Sequence, residues 1–415
     1  MIRIPPSLKN RRFFYLWLGL LISIAGTQMQ IWAIFWHIRT LTEEPIALGG
    51  VGLARILPVI IFSLIGGAVA DSLKRTRILY ITQSFAALTA LSLGLFTQFG
   101  NITIWHIYTL TALQAVAVAF DGPARQALVP NLVPVKDLPN AFSMTSIAFQ
   151  TGSILGPALS GFIIAFAGQE GVYYINAVSF LAVILALILI GDVPQKASGY
   201  IKKAVSWESI REGIQFILNK PIILSTMLLD FIATFFASAN TLMPIVAVDV
   251  LKVGVFEYGW LSAAQSVGAV TAALVVSQSR ELRRQGPIFL GAVVVFGTAT
   301  VLFGLSSSFI LAWCALAVIG AADSVSTIIR NTIRQLQTPD HIRGRMTSVN
   351  MIFFQGGPQL GEVEAGVVAQ LFGAPFAIVS GGVACILGMT LIVRKWPALL
   401  TYNGDEPSIA GATAD

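Results

Sequence analysis

The chain has 415 residues, of which 55% are hydrophobic and only 11% charged, with a mean hydropathy of +0.78. That is too little charge to cover the surface of a water-soluble protein of this size, so the composition excludes a soluble globular fold and points to the lipid bilayer. The formal net charge of +6 does not signal nucleic acid, because the cations form no stripe or tail and sit between apolar segments, as topogenic charges do.

An apolar run of about 20 residues spans about 30 Å of hydrocarbon. Twelve such runs occur, at 13–38, 46–70, 78–98, 102–124, 141–167, 171–191, 222–248, 257–278, 287–306, 309–329, 345–371 and 375–394. Arg11 and Arg12 before the first run would suit a secretory leader, but the run is too long and no cleavage pattern follows, so it reads as the first span. An even number of spans puts both termini on one side of the membrane. Of the 26 Lys and Arg, only Arg39, Arg55 and Lys252 fall away from the ends and loops of one side. Both termini are therefore predicted to be cytoplasmic.

After the second run the chain breaks abruptly into Gly66-Gly-Ala-Val-Ala-Asp71-Ser-Leu-Lys74-Arg75-Thr-Arg77, which reads as a membrane hairpin turn. The glycines let two helices approach closely, Asp71 caps or pairs at the membrane edge, and the cations mark the cytoplasmic side. In the fifth run, Gly152-Ser-Ile-Leu-Gly156-Pro157-Ala-Leu-Ser160-Gly161 sets small residues four apart. Such a face suits tight helix contact, and Pro157 removes one backbone hydrogen bond and bends the helix.

Between the sixth and seventh runs lies the longest polar segment, Asp192–Lys220. Within it Trp207, Ile210, Ile214, Ile217 and Leu218 recur at helical spacing, opposite Glu208, Arg211, Glu212 and Gln215. That pattern predicts a surface helix lying along the membrane. The chain thus divides into a first six-helix half (1–191), a cytoplasmic linker (192–220), a second half (221–396) and a disordered tail (397–415).

Sliding the chain on itself by 205 residues aligns Arg125–Gly161 with Arg330–Gly366 without a gap. Ten positions are then identical, among them Arg125/Arg330, Pro134/Pro339, Gln150/Gln355, Gly152/Gly357, Gly156/Gly361 and Gly161/Gly366. The chain reads as a duplication. Cys314 and Cys385 lie inside apolar runs, without metal or disulfide spacing, and read as packing residues.

These features resemble the major facilitator superfamily. Gly67, Asp71 and Arg75 fall on its Gly-x-x-x-Asp-Arg/Lys-x-Gly-Arg-Lys pattern, while Ser72 and Lys74 depart from it. Gly152, Gly156, Pro157 and Gly161 resemble the Gly-x-x-x-Gly-Pro-x-x-Gly-Gly motif of its proton-driven exporters, with Ser160 in place of one glycine. Gln337–Arg345 and Gly19–Gln28 are similar to the drug:proton antiporter branch that holds macrolide efflux proteins and the enterobactin exporter.

The resemblance implies an all-α integral membrane protein whose 12 transmembrane helices form two pseudo-symmetric six-helix bundles, with substrate bound between halves that rock about it. It implies a multi-pass protein of the bacterial inner membrane, working as a monomer. The proton gradient would be its energy source, with no cofactor, and small amphipathic molecules its export cargo. Proton-coupled uptake by symport is the alternative, opposed by the motif in the fifth span. An enzyme would need a catalytic constellation, and the chain has no His-Glu-x-x-His, no Gly-x-Ser-x-Gly and no nucleotide-binding lysine loop. A non-transporting receptor is a distant alternative, opposed by the expectation that no large soluble domain is present to signal with.

An ionisable side chain deep in a bilayer costs roughly 2.5–3.5 kcal/mol on insertion scales, so each one calls for a reason. At about 1.5 Å of rise per residue, Asp230 lies about 14 Å along span 7, Asp121 about 26 Å along span 4 and Asp323 about 21 Å along span 10. All three are candidates for proton coupling. Asp230 leads, as a desolvated carboxyl with no cation on its own helix; a fixed hydrogen-bonded aspartate is the other reading. Asp121 either pairs with Arg125 one turn on or reaches Arg75. Asp323 is expected to contact another helix.

In the resembled fold spans 2 and 11 face each other and run in opposite chain directions. Arg55 lies 16 residues from Asp71, and Glu362 lies 17 from Arg345. The levels match, so Asp71 with Arg345 and Arg55 with Glu362 or Glu364 are expected to act as inner and outer latches. Alternatively Arg55 snorkels to the headgroups. The substrate path is expected to draw on Gln28, Gln30, Trp32, Trp36, Gln150, Asn240, Gln265, Asn350 and Gln355.

Overall fold

The computed structural model describes residues 5–193, 207–237, 239–278 and 283–404, which are almost entirely helical and contain no strand. In lipid this is required, because a helix satisfies its backbone polar groups internally. The first six segments are α1 (Arg11–Leu41), α2 (Pro45–Ser72), α3 (Arg75–Gln98), α4 (Ile104–Leu128), α5 (Leu138–Ile190) and α6 (Trp207–Leu218). Then come α7 (Pro221–Phe236), α8 (Ala239–Ile245) with a π-helical turn at Val246–Val250, α9 (Val255–Ser277), α10 (Gln285–Leu305) and α11 (Phe309–Leu336). The last three are α12 (Asp340–Phe372), α13 (Ala374–Lys395) and the short α14 (Ala398–Thr401).

Among the described residues nine helices are long and apolar enough to cross a membrane. One of these, α5, is two spans, because Gly168 at φ +68° breaks it. Helices α4 and α12, with 25 and 33 residues, are also long enough but carry more polar side chains. With them the helices match the twelve apolar runs.

The chain forms two compact units, and their boundary does not follow the linker. Unit 1 holds Met1–Glu43, Leu53–Val205 and Val255–Gly259; unit 2 holds Glu44–Gly52, Ser206–Gly254 and Trp260–Asp415. The start of α2 therefore belongs with the second half, and the start of α9 with the first.

In unit 1, α1 runs along the second limb of α5. A side chain at Gly19 would press on the Ala182 carbonyl, and one at Gly26 would press on Ser179 and Asn176. At the same interface Gln30 donates to Gln114 Oε1 at 2.6 Å and accepts from Asn176 Nδ2 at 2.6 Å, tying three buried helices together. Unit 2 centres on Leu229, Phe289, Ile329, Ile333, Cys385 and Leu399.

Unit 2 adds to the reading of the linker helix and corrects two expectations. The linker helix α6 leaves Ile214 and Leu218 exposed. It packs through Phe216 and Ile217 against Ile223, Met227, Met346 and Val349, and Gly213 lets it approach the backbone of Arg345. The chain beyond Pro397 is ordered as far as Gly404: Leu399 and Tyr402 are buried, and Gly286 N–H donates to the Tyr402 carbonyl at 2.9 Å. The remainder of the expected disordered tail, 405–415, lies outside the described residues. Finally, α11 does not stop at 329 but continues to Leu336, so Arg330 and Arg334 are buried helix residues and not part of a loop.

Candidate functional site

The site begins with Asp230, on the inward face of α7 and 3% exposed. Its Oδ1 lies 2.7 Å from Nη1 of Arg330 on α11, a side chain just as deeply buried. The same Nη1 lies 3.8 Å from Oδ1 of Asp323, whose side chain is half exposed, and 3.2 Å from the Ser326 hydroxyl, to which it donates. Asp323, Ser326 and Arg330 are spaced to share one face of α11. A small cavity beside them is completed by Thr234, Val293 and Phe296.

One turn on, Arg334 is also engaged. Its Nε donates to the Arg330 carbonyl at 3.1 Å, one Nη donates to Asn331 Oδ1 at 2.6 Å, and the other donates to Asn350. Among the described residues Arg334 makes no ion pair with Asp230; its bonds go to Asn331, Asn350 and the Arg330 carbonyl. The cluster couples a carboxylate sealed from water to one that is half open to it, with a single guanidinium serving both. Breaking such a pair by removing one partner costs about 3–5 kcal/mol, since the other charge is left buried.

Sequence reasoning missed Arg330 and Arg334. The signal was present in the repeat, where Arg330 is the partner of Arg125. In unit 1, Arg125 pairs with Asp121 on its own helix, and Asp121 also accepts from Gln83 at 2.7 Å and Thr82 at 3.2 Å. Arg75, the other partner considered for Asp121, donates instead to the Ala127 carbonyl at 2.8 Å. In unit 2, Ser326 stands where the repeat puts Asp121, and α7 supplies the carboxylate.

The motif glycines have structural counterparts in both units. Side chains at Gly152 and Gly156 of α5 would collide with Ile24–Ala25 and Gln28–Met29 of α1; side chains at Gly357 and Gly361 of α12 would collide with Thr234 and Phe235 of α7. Gly161 lies against Gly259 of α9, and its repeat partner Gly366 lies against Gly49 of α2. Pro157 is buried beside Gly156.

Of the expected latch residues, Gly67 and Asp71 lie on α2, and the Asp71 side chain is outside the described residues. Arg345 pairs with Glu212 of α6. Arg55 and Glu364 are half-buried, while Glu362 is buried beneath Gly52, at which a side chain would meet the Gln359 carbonyl and Glu362 itself.

Several expected substrate-path residues are engaged between helices. Gln28 donates to Ser153 at 2.8 Å, Gln265 donates to Asn240 at 2.7 Å, and Asn350 accepts from Arg334. Trp32 and Trp36 pack on Tyr258, whose hydroxyl donates to the Trp32 carbonyl at 3.0 Å. Gln150 is exposed, and the Gln355 side chain lies outside the described residues. No group of His, Cys, Asp and Glu able to hold a metal occurs among the described residues.

The model of a family described as transmembrane secretion effector matches residues 5–403. The chain is 26% identical over 362 residues to the multidrug efflux pump Tap of Mycolicibacterium fortuitum, covering 84% of this chain and 87% of that protein. It is 25% identical over 331 residues to the enterobactin exporter EntS of Shigella boydii, covering 80% and 79%. Among solved structures, a bacterial homolog of the human lysosomal transporter Spinster superposes with a TM-score of 0.72 at 14% identity, over 93% of this chain and 97% of that one. That likeness shows a shared fold.

Proposed function

The chain belongs to the transmembrane secretion effector family of major facilitator transporters; it is a membrane transporter of small molecules and not an enzyme, and we propose that it exports amphipathic compounds of drug or siderophore type by proton antiport. Export is supported by the relatives, which include a multidrug efflux pump and an enterobactin exporter. The bacterial inner membrane, cytoplasmic termini, a monomeric working form and the proton gradient in place of any cofactor complete the reading.

The observation that carries the antiport is the buried Asp230–Arg330 pair beside the half-exposed Asp323. Protonating Asp230 cancels one charge of the pair and releases a guanidinium, so a single proton alters the electrostatics of α7 and α11 together. An equilibrium biased in this way can alternate access between the two sides of the membrane. Asp121 suits the role less well, because Arg125, Gln83 and Thr82 already satisfy its ionised form.

Everted membrane vesicles test the reading. Ethidium, erythromycin and a catecholate siderophore are offered with and without an uncoupler. Uncoupler-sensitive accumulation of at least one, lost in Asp230→Asn, is expected. Accumulation indifferent to the uncoupler, or unchanged in the variant, would overturn the reading.

A further inference from the structure

A lone buried guanidinium is as unfavourable as a lone buried carboxylate, so protonation of Asp230 raises the question of where Arg330 then finds a partner. Among the described residues the charged groups around Asp230 are Arg330, Asp323 and Arg334, all on α11; the wall formed by α10 is apolar, with Val293 and Phe296. Arg334 is a cation and so cannot partner Arg330; it donates to Asn331, Asn350 and a backbone carbonyl. Asp323 is the remaining anion. Its carboxylate is 3.8 Å from the same Nη1 that binds Asp230 at 2.7 Å, and the Ser326 hydroxyl accepts from that nitrogen at 3.2 Å.

We propose that Asp323 is a positioning residue for proton exchange: when Asp230 takes up a proton, Arg330 transfers to Asp323, so that the guanidinium is paired in both protonation states. This rests on the reading of Asp230 as the proton carrier. The step balances simply. One O–H bond forms on Asp230, no other covalent bond changes, and the net charge of Asp230, Arg330 and Asp323 goes from −1 to neutral. Ser326, on the same face of α11, gives the guanidinium an acceptor throughout a short rotation. The exposure of Asp323 fits the role, because water stabilises its charge while Arg330 is still on Asp230. Without Asp323, protonation would leave Arg330 without an anionic partner and become less favourable by about tenfold or more.

Infrared titration of the purified full-length protein in lipid nanodiscs tests this without a known substrate. The protonated-carboxyl stretch that disappears in Asp230→Asn reports Asp230. In Asp323→Asn and Asp323→Ser the titration midpoint of that band is expected to move by one pH unit or more toward acid, a tenfold or greater loss of proton affinity. Asp323→Glu is expected to restore it. An unchanged midpoint in both neutral variants would overturn the exchange while leaving Asp230 as carrier. A displaced midpoint in the Glu variant equal to that in Asn would also overturn it, because charge at 323 would then not be what matters. If Asp230→Asn removes no titrating band, the carrier reading itself fails.

Discussion

Arg125 and Arg330 stand 205 residues apart at matching places in the repeat, yet they take their carboxylates from different elements. Arg125 is bound by Asp121 from its own helix, and Arg330 by Asp230 from a neighbouring one. Asp121 keeps its cation on its own helix and meets α3 only through the neutral donors Gln83 and Thr82. An ion pair between helices joins the packing of both to the protonation state, which is why the second half is the better place for coupling.

Removing only the arginine of the buried pair should therefore cost more than removing both partners. Arg330→Gln is expected to destabilise by about 3–5 kcal/mol, because it leaves Asp230 buried without its cation, whereas Asp230→Asn should cost less, because Arg330 then pairs with Asp323. The double variant should recover much of that stability while remaining uncoupled. Melting temperatures of the purified variants, beside vesicle transport, check both halves of the statement.

Glycines at helix crossings should separate cleanly from glycines in open space. A methyl at Gly361 would lie 2.4 Å from the Phe235 carbonyl, and one at Gly156 would lie 2.4 Å from Gln28 Cβ. Gly361→Ala and Gly156→Ala are expected to destabilise by about 1–3 kcal/mol, as overpacking does. Nothing lies within 4 Å of the corresponding methyl at Gly122 or Gly291, so alanine there should be neutral or stabilising by up to about 1 kcal/mol. Thermal unfolding of the four variants distinguishes the two groups.

The segment after Pro397 should matter to unit 2. Leu399 is fully buried, and Leu399→Ala is expected to cost about 2–5 kcal/mol, as for a leucine in a packed core. A melting temperature equal to that of the parent would show that the segment contributes nothing to the unit.

Attachment of α6 should depend on shape more than on charge. The Arg345–Glu212 pair is partly solvated, so Glu212→Gln should change stability by less than about 1 kcal/mol. A side chain at Gly213 meets the Arg345 carbonyl at 3.1 Å, and Gly213→Val should release α6, seen as faster proteolysis between the halves.

The helices were legible in the sequence because each apolar run is as long as the membrane is thick, and the repeat was legible because Arg, Pro, Gln and Gly rarely align by chance in apolar sequence. Asp230 was legible as an expensive charge. Arg330 was not, because apolar character ends at Ile329 while the helix goes on; what buries the arginine is a carboxylate on another helix, about 100 residues away. The bonds Gln28–Ser153 and Gln265–Asn240 were hidden for the same reason: spacing along one helix does not reveal what the facing helix offers. For α6, the amphipathic pattern gave no sign that Phe216 and Ile217 pack on protein, which Gly213 permits by letting the helix approach the backbone of Arg345. The stretch holding Leu399 and Tyr402 is too short for periodicity to register.

The most direct test of the account is proton release by the purified transporter when ethidium, erythromycin or the catecholate siderophore is added in weakly buffered solution. The account predicts that at least one compound expels protons from the parent protein and none from Asp230→Asn, although the compound still binds. Equal release from both proteins would place the exchangeable proton elsewhere and contradict the central claim.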